Sequence, residues 1–346
     1  MNILFTCAGR RNYLINYFKE SLKGPGIIIA ADMQSTAPAM VDADKFAIVP
    51  PIYDNNYINA LIKIIGDYKI DAVISLNDLE LPLLSYNKSL LEKTGAKVII
   101  SKESVIDISF DKWKTIQFLT NIGLKSPKTY ISLEDALRAI KNGELHFPLV
   151  IKPRWGSASI GIDFPENEVE LKLSYQLQKI KIERTILKEA SKNDLSHSIL
   201  IQEKIQGKEY GMDILNDFEE NYIGTFVRQK LSMRAGETDK AISIIDKRFE
   251  VTGKSIGENL KHIGNLDCDI FEYNGELYVL ELNPRFGGGY PFSHEAGVNT
   301  AAIYIEWLKG NNNIQRFIDY KAGIMFSKCD RLIRIFNQSI TPTNIR

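Results

Sequence analysis

Asp267-Cys-Asp-Ile-Phe-Glu-Tyr-Asn-Gly-Glu-Leu-Tyr-Val-Leu-Glu-Leu-Asn-Pro-Arg-Phe-Gly-Gly-Gly289 alternates apolar and polar residues on both sides of Tyr273-Asn-Gly-Glu276. That pattern predicts a β-hairpin with a tight Asn-Gly turn. Asp269 falls on the first strand, and Glu281 and Asn283 fall near the end of the second. A strand repeats every two residues, so Glu281 and Asn283 share a face. Two carboxylates and an amide oxygen form a hard, all-oxygen donor set suited to Mg²⁺ or Mn²⁺, with positions left for substrate phosphates. Arg285, two residues on, adds a forked cation suited to phosphate or carboxylate. The alternative is a charged, exposed hairpin edge, but Leu280, Leu282 and Pro284 suit such an edge poorly.

Two further segments bear on the same chemistry. Phe147-Pro-Leu-Val-Ile-Lys-Pro-Arg-Trp-Gly-Ser-Ala-Ser-Ile-Gly161 reads as a buried strand ending at Lys152, followed by a small-residue loop. Gly156, Ser157 and Ser159 would let backbone N–H groups and hydroxyls approach anionic oxygens. The Gly-Lys-Ser/Thr ending of a P-loop is absent, and an ordinary turn is the competing reading. Ile199-Leu-Ile-Gln-Glu-Lys-Ile-Gln-Gly-Lys-Glu-Tyr-Gly-Met-Asp213 reads as a strand, a short polar connection and a second strand starting near Glu209.

Taken in order, these segments resemble the ATP-grasp superfamily. The resemblance implies that Lys152 and the Gly156–Ser159 loop form a phosphate-covering lid. Gln202, Glu203, Lys204 and Ile205 would form the hinge that pairs with adenine, and Glu209 would hold the ribose. It makes Asp269, Glu281 and Asn283 the ligands of two Mg²⁺ (or Mn²⁺) ions and Lys112 a further phosphate-binding lysine, with ATP as the nucleotide. The Leu-Glu-Leu-Asn-Pro-Arg-Phe-Gly-Gly-Gly-Tyr-Pro wording further resembles single-module relatives of the carbamoyl-phosphate synthase large subunit. The full synthase has two such modules and this length suits one, so a carboxylate–amine ligase is implied rather than the synthase. In that class ATP phosphorylates a carboxylate, and an amine or ammonia displaces phosphate, with Arg285 and Lys230 steadying the reacting group. A phosphotransferase on the same scaffold and a non-catalytic nucleotide-binding regulator are the alternatives. The implied partners are small-molecule carboxylates and amines, and a homodimer is compatible with the class.

Composition fits this picture. Forty-three basic and forty-three acidic residues balance in 346, so no broad field draws nucleic acid or anionic membrane. Three widely spaced cysteines offer neither a disulfide framework nor a zinc pattern. No signal-like start and no transmembrane-length apolar run is present, which gives a cytoplasmic expectation.

The expected fold is α/β, turning α+β in the C-terminal part: an N-terminal doubly wound parallel-sheet domain followed by a two-subdomain ATP-grasp fold. The expected divisions are 1–108, 109–206 (lid), 207–315 (metal-binding) and a strand and loose tail over 316–346. In the first, strands at Ile3–Thr6, Ile27–Ala31, Ala72–Leu76 and Lys97–Ile100 alternate with amphipathic helices, one of them over Leu81–Leu91. Its first turn, Cys7-Ala-Gly-Arg-Arg-Asn12, lacks the dinucleotide glycine fingerprint. Ligands of open α/β sheets sit at the carboxyl ends of strands, which picks out Gly9, Arg10, Arg11, Asp32, Asn77, Asp78 and Glu80 for the acceptor. Helix capping is the competing reading for Asp78, with Glu80 in the first turn. Strands Tyr210–Leu215 and Tyr222–Lys230 lead into Leu231-Ser-Met-Arg-Ala-Gly-Glu-Thr-Asp-Lys240, which reads as a basic loop carrying Arg228, Lys230, Arg234, Glu237 and Lys240, with Lys230 on the strand. It is placed to meet the γ-phosphate and acceptor, and for Arg234 surface salt bridging competes with that role. Leu171–Asn193 reads as a helix with solvated charged faces, and His294 as a structural histidine.

Overall fold

The computed structural model describes residues 1–156 and 161–335. The first five strands are β1 (Ile3–Thr6), β2 (Ile28–Asp32), β3 (Lys45–Ile48), β4 (Ala72–Ser75) and β5 (Lys97–Val98). They form one parallel sheet in the order β3-β2-β1-β4-β5. β1, β2 and β4 are fully buried, as strands covered on both faces must be. β3 is an edge strand that the sequence reading misses, because Phe46 and Ile48 remain exposed and no buried pattern marks it. The helix expected over Leu81–Leu91 is two, Leu81–Tyr86 and Lys88–Glu92, broken at Asn87, whose side-chain amide turns back onto the Leu83 carbonyl.

β6 (Thr129–Tyr130), β7 (Leu149–Pro153) and β8 (Ile199–Glu203) make a small antiparallel sheet in the order β6-β8-β7. β9 (Lys208–Asn216), β10 (Tyr222–Arg234), β11 (Glu237–Ile244), β12 (Gly264–Tyr273), β13 (Glu276–Asn283) and β14 (Met325–Ser327) build a six-stranded sheet, ordered β13-β12-β9-β10-β11-β14. The β12–β13 turn holds Asn274 and Gly275 at positive φ, the backbone a type I′ turn requires and the reason for Asn-Gly there. The expected Leu231–Lys240 loop is instead the tip of hairpin β10–β11: β10 runs on to Arg234 and turns through Ala235-Gly236.

An aromatic cluster joins the hairpin to the first sheet. Phe286 packs edge-on to Phe18 at 6.1 Å between ring centres, to Tyr290 at 4.8 Å, and against Tyr304 at 5.2 Å. Phe5, Phe18, Phe286 and Tyr290 lie in one buried core with both β1 and the Thr300–Leu308 helix. Burying one such ring is worth roughly 1.5–3 kcal/mol. This packing fixes Arg285 against the carboxyl ends of the parallel strands. Among the described residues no helix is long and apolar enough to cross a membrane.

Candidate active site

Register places the polar face of the large sheet. Arg228 on β10 pairs with Gly211 on β9, Gly211 with Asp269 on β12, and Asp269 with Glu281 on β13. The next row sets Asp213 beside Asp267, and Asp267 opposite Asn283. Asp269, Glu281 and Asn283 are thus brought together at the end of the hairpin. Among the described residues no cluster of three or more His, Cys, Asp and Glu side chains is placed to hold a metal. Two carboxylates and an amide still form a hard oxygen donor set, of the kind a divalent cation completes with phosphate and water. A cation already sits there: Lys230 Nζ donates to Asp269 Oδ1 at 2.6 Å and to Glu209 Oε1 at 2.7 Å. Burial opposes the Lys230 charge, but Asp269 and Glu209 more than offset it and hold the ammonium above its ordinary pKa.

Two clefts meet at these carboxylates. A cleft of about 640 Å³ runs between the small sheet and the large one. Lys112, Lys152 and Gly156 line it, as do Gln202 to Ile205 and Glu209, with Trp155, Phe164, Phe271 and Leu280 supplying apolar walls. Lys152, on β7, is nine-tenths buried or more. That burial pulls its pKa down to about 8, against the pull of Glu281 and with repulsion from Lys112 adding to it. Lys112 Nζ donates to the Gly156 carbonyl. Gln202 lies at the wall, with its side-chain amide held by Thr129 Oγ1 at 2.7 Å. Ser157 and Ser159 lie outside the described residues.

The second cleft, about 330 Å³, lies against the carboxyl ends of β1 and β4 and shares Asp269, Glu281, Met233 and Gly236 with the first. It brings together Gly9, Arg10, Arg11, Asn77 and Asp78 with Lys230, Asn283 and Arg285. Asp32 braces this loop, accepting from Gly9 N–H at 2.8 Å and Gln34 N–H at 2.9 Å. Arg285 Nη2 donates to Asp78 Oδ2, and Arg285 Nη1 lies 3.9 Å from Asp267. Burial disfavours the Arg285 charge, yet Asp78, Asp267 and Glu281 hold its pKa above the ordinary value. Asp78 Oδ1 and Arg285 Nε are buried without a partner.

Several expectations need correction. Asp78 does not cap a helix: the capping-type bond at that turn is Leu79 N–H to Asn77 Oδ1, while Asp78 faces Arg285. Glu80 does not sit in a solvated first turn. It is fully buried, accepting from Thr6 Oγ1 at 2.7 Å, Tyr57 OH at 2.5 Å and Ser75 Oγ. Arg234 does not line either cleft; it is half-exposed and paired with Asp330 at 2.8 Å, so surface salt bridging holds for it. His294 stacks on Tyr17 at 3.5 Å, and burial pulls its pKa to about 4.

The sequence reading also missed the centre of the sheet. Arg228, assigned to a basic loop, is 1 % exposed and donates to Asp213 Oδ2 at 2.6 Å and Asp267 Oδ1 at 2.8 Å. It lies between two glycines: a Cβ on Gly211 would come 2.8 Å from Arg228 Nη2, and one on Gly289 2.2 Å from its Nε. Asp267, two residues before Asp269 on the same face, lines the second cleft, and burial pushes its pKa up to about 6 despite Arg228. The i, i+2 spacings Arg228/Lys230 and Asp267/Asp269 carried that signal.

Residues 109–289, just over half of the chain, match the ATP-grasp domain family, and residues 3–99 match the PylC-like N-terminal domain family. The carbamoyl phosphate synthase large chain of Campylobacter jejuni is 26% identical over 242 residues, covering 66% of this chain and 21% of that protein. The chain therefore spans about a fifth of the length of the full large chains it matches. A Campylobacter jejuni biotin carboxylase–β,γ-ATP complex aligns with a TM-score of 0.72 at 17% identity, over 94% of this chain and 74% of that one. An L-amino acid ligase from Bacillus licheniformis aligns with a TM-score of 0.66 at 18% identity, over 89% and 75%. At such identities the structural likeness concerns the fold. The chain belongs to the ATP-grasp family.

Proposed function

We propose that this chain is an ATP-dependent carboxylate–amine ligase. One observation carries the reading: a nucleotide-sized cleft and a smaller charged cleft meet at Asp269 and Glu281. A phosphoryl donor in the first and an acceptor carboxylate in the second would face each other there. The amino acid ligase and the synthase among the relatives fit such chemistry by name.

Adenine would lie against the Gln202–Ile205 edge between Phe164 and Leu280, with the ribose near Glu209. Lys112, Lys152 and the Gly156 backbone would hold the phosphates, Ser157 and Ser159 assisting. Asp269, Glu281 and Asn283 would hold Mg²⁺, which when bound neutralises phosphate charge. Lys230 and Arg285 would orient the acceptor, so that a carboxylate oxygen attacks the γ-phosphorus and ADP leaves. An amine then attacks the acyl carbon and inorganic phosphate departs, the same two cations steadying the oxyanion. Gly9, Arg10, Arg11, Asn77 and Asp78 would choose the acceptor. The lid sheet, closed over the cleft, would keep water from the acyl phosphate. Residues 1–108 would then serve as the acceptor unit, 109–206 as the lid and 207–315 as the metal-binding unit, with 316–346 as strand and tail.

The test is a screen of acid and amine pairs for ADP release. The correct acid alone with ATP gives slow ADP release and a hydroxamate on adding hydroxylamine; the amine accelerates turnover and an amide forms. A stable phosphorylated product without amine dependence would instead mark a phosphotransferase, and tight ATP binding without turnover across the screen a regulator.

A further inference from the structure

The small sheet and the large one rest on separate cores. Leu149, Ile151, Ile199 and Ile201 belong to the first, and Leu119, Leu266 and Val279 to the second. The two lysines of the larger cleft are divided between them. Lys152 lies on β7, whereas Lys112 opens the Lys112–Asn121 helix, whose Leu119 shares the core of the large sheet. Two ammonium groups repel, and Lys112 adds to the lowering of the Lys152 pKa. Their separation must be set by something other than their own interaction.

Arg154, two residues past Lys152, bridges the gap. Its Nε and Nη2 donate to Asp111 Oδ1 and Oδ2, both at 2.7 Å, and its Nη1 donates to Asp194 Oδ2 at 2.9 Å. Arg154 is 7 % exposed and Asp111 2 %. The same Asp111 caps the helix that Lys112 opens, accepting from Trp113 N–H at 3.0 Å and from Lys114 N–H at 3.4 Å. Lys112 N–H donates to the Arg154 carbonyl at 3.2 Å, and Lys112 Nζ to the Gly156 carbonyl. One buried fork thus joins the residue before Lys112 to the strand end that carries Lys152. A two-toothed pairing fixes direction as well as distance. Buried pairs add little net stability over apolar packing, and holding a register is their best-attested use.

We infer that the Asp111–Arg154 pair is a positioning device, which holds Lys112 and Lys152 at the spacing that a run of phosphates requires. The inference rests on the nucleotide reading of the larger cleft given above. Neither Asp111 nor Arg154 lines that cleft, so the pair acts through the two lysines.

The test is calorimetric titration of the full chain with Mg-ATP and, separately, with adenosine, which lacks the phosphates. The parent should prefer Mg-ATP. Asp111→Asn keeps a capping oxygen on the helix but loses the paired charge. It and Arg154→Met should each weaken Mg-ATP binding by roughly tenfold or more, the worth of one hydrogen bond to a charged group, and leave adenosine binding unchanged. Arg154→Lys keeps the charge without the fork and should fall between. A pair that served only to hold the sheet in place would weaken both ligands alike or neither, so an unchanged preference in the variants overturns the inference alone. A parent without preference for Mg-ATP over adenosine overturns the nucleotide reading and the inference with it. Circular dichroism checks the fold of each variant; if Arg154→Met fails to fold, Asp111→Asn and Arg154→Lys decide the matter.

Discussion

The ammonium of Lys230 rests 2.6 Å from Asp269 Oδ1, on a carboxylate that would also serve a divalent metal. Its second bond, at 2.7 Å, goes to Glu209 Oε1, the carboxylate proposed to hold the ribose. On the proposed reading, lysine and metal would compete for Asp269 until a nucleotide arrives. Lys230→Met should release that carboxylate, so Mg²⁺ alone should raise the melting temperature more in the variant than in the parent. Turnover should fall by about a hundredfold or more, as when one oxyanion donor is lost. Glu281→Gln should have the opposite effect on the metal, reducing the stabilisation by Mg-ATP. Equal thermal shifts in all three proteins would count against the metal assignment.

Lys152 gives a pH dependence. Its folded pKa of about 8 lies below its ordinary value of 10.5 because burial disfavours the charge. The folded protein thus releases this proton more readily than the unfolded chain. The cost of the buried charge is felt in full below about pH 8, and stability contributed by this site rises between pH 8 and 10.5. On the proposed reading activity would run the other way, since the phosphates would need the protonated form. kcat/KM for ATP should decline above about pH 8, while kcat declines at higher pH because bound phosphates hold the proton. Lys152→Arg, which stays charged, should flatten the decline; a slope unchanged in that variant would assign the titration elsewhere.

The buried Arg228 cluster sets the fold's tolerance. Gly289→Ala places a Cβ 2.2 Å from Arg228 Nε, where the guanidinium is already held by Asp213 and Asp267. Arg228→Met strands two buried carboxylates, a loss of about 3–5 kcal/mol. Both should unfold at lower denaturant than the parent, in chemical denaturation followed by circular dichroism. Gly288→Ala, whose Cβ meets only the ends of the Arg11 and Glu237 side chains at 3.0 Å and beyond, should be milder.

The hairpin was legible because two independent signals agree there: strict alternation, and Asn274-Gly275 at the turn, where φ is positive. Tertiary burial hid the rest. Arg228 sits in a run of polar and charged residues that reads as surface, and the distant Gly211, Asp213, Asp267 and Gly289 make it interior. Ser232 and Arg234 look like loop, but their strand continues because its partner Glu237–Ile244 is itself covered by β14, more than eighty residues further on. Glu80 reads as a first-turn acid, yet three hydroxyls from three other segments draw it inward. Local pattern carries no information about such partners. For Arg234 the sequence left acceptor contact and surface salt bridging both open, because its partner Asp330 lies in a stretch the sequence marks only as tail.

Asp78 and Arg285 meet from sequence positions 207 residues apart, and their pairing allows a closing test of the proposed acceptor cleft. Arg285→Ala should lower kcat by roughly a hundredfold, as loss of one oxyanion donor does. It should also cost stability, since Asp78 is left buried without its cation. Asp78→Asn keeps the shape but loosens Arg285, so kcat should fall less than in Arg285→Ala while KM for the acid changes. The double variant should then lose less than the sum of the singles, with a coupling of about 0.5–3 kcal/mol in kcat/KM for the acid. KM for ATP should stay near the parent value throughout, because neither residue lines the larger cleft proposed to hold the nucleotide. Additive losses would make Asp78 an independent contact of the acceptor rather than the holder of Arg285, and a large rise in KM for ATP would move both residues out of the acceptor site.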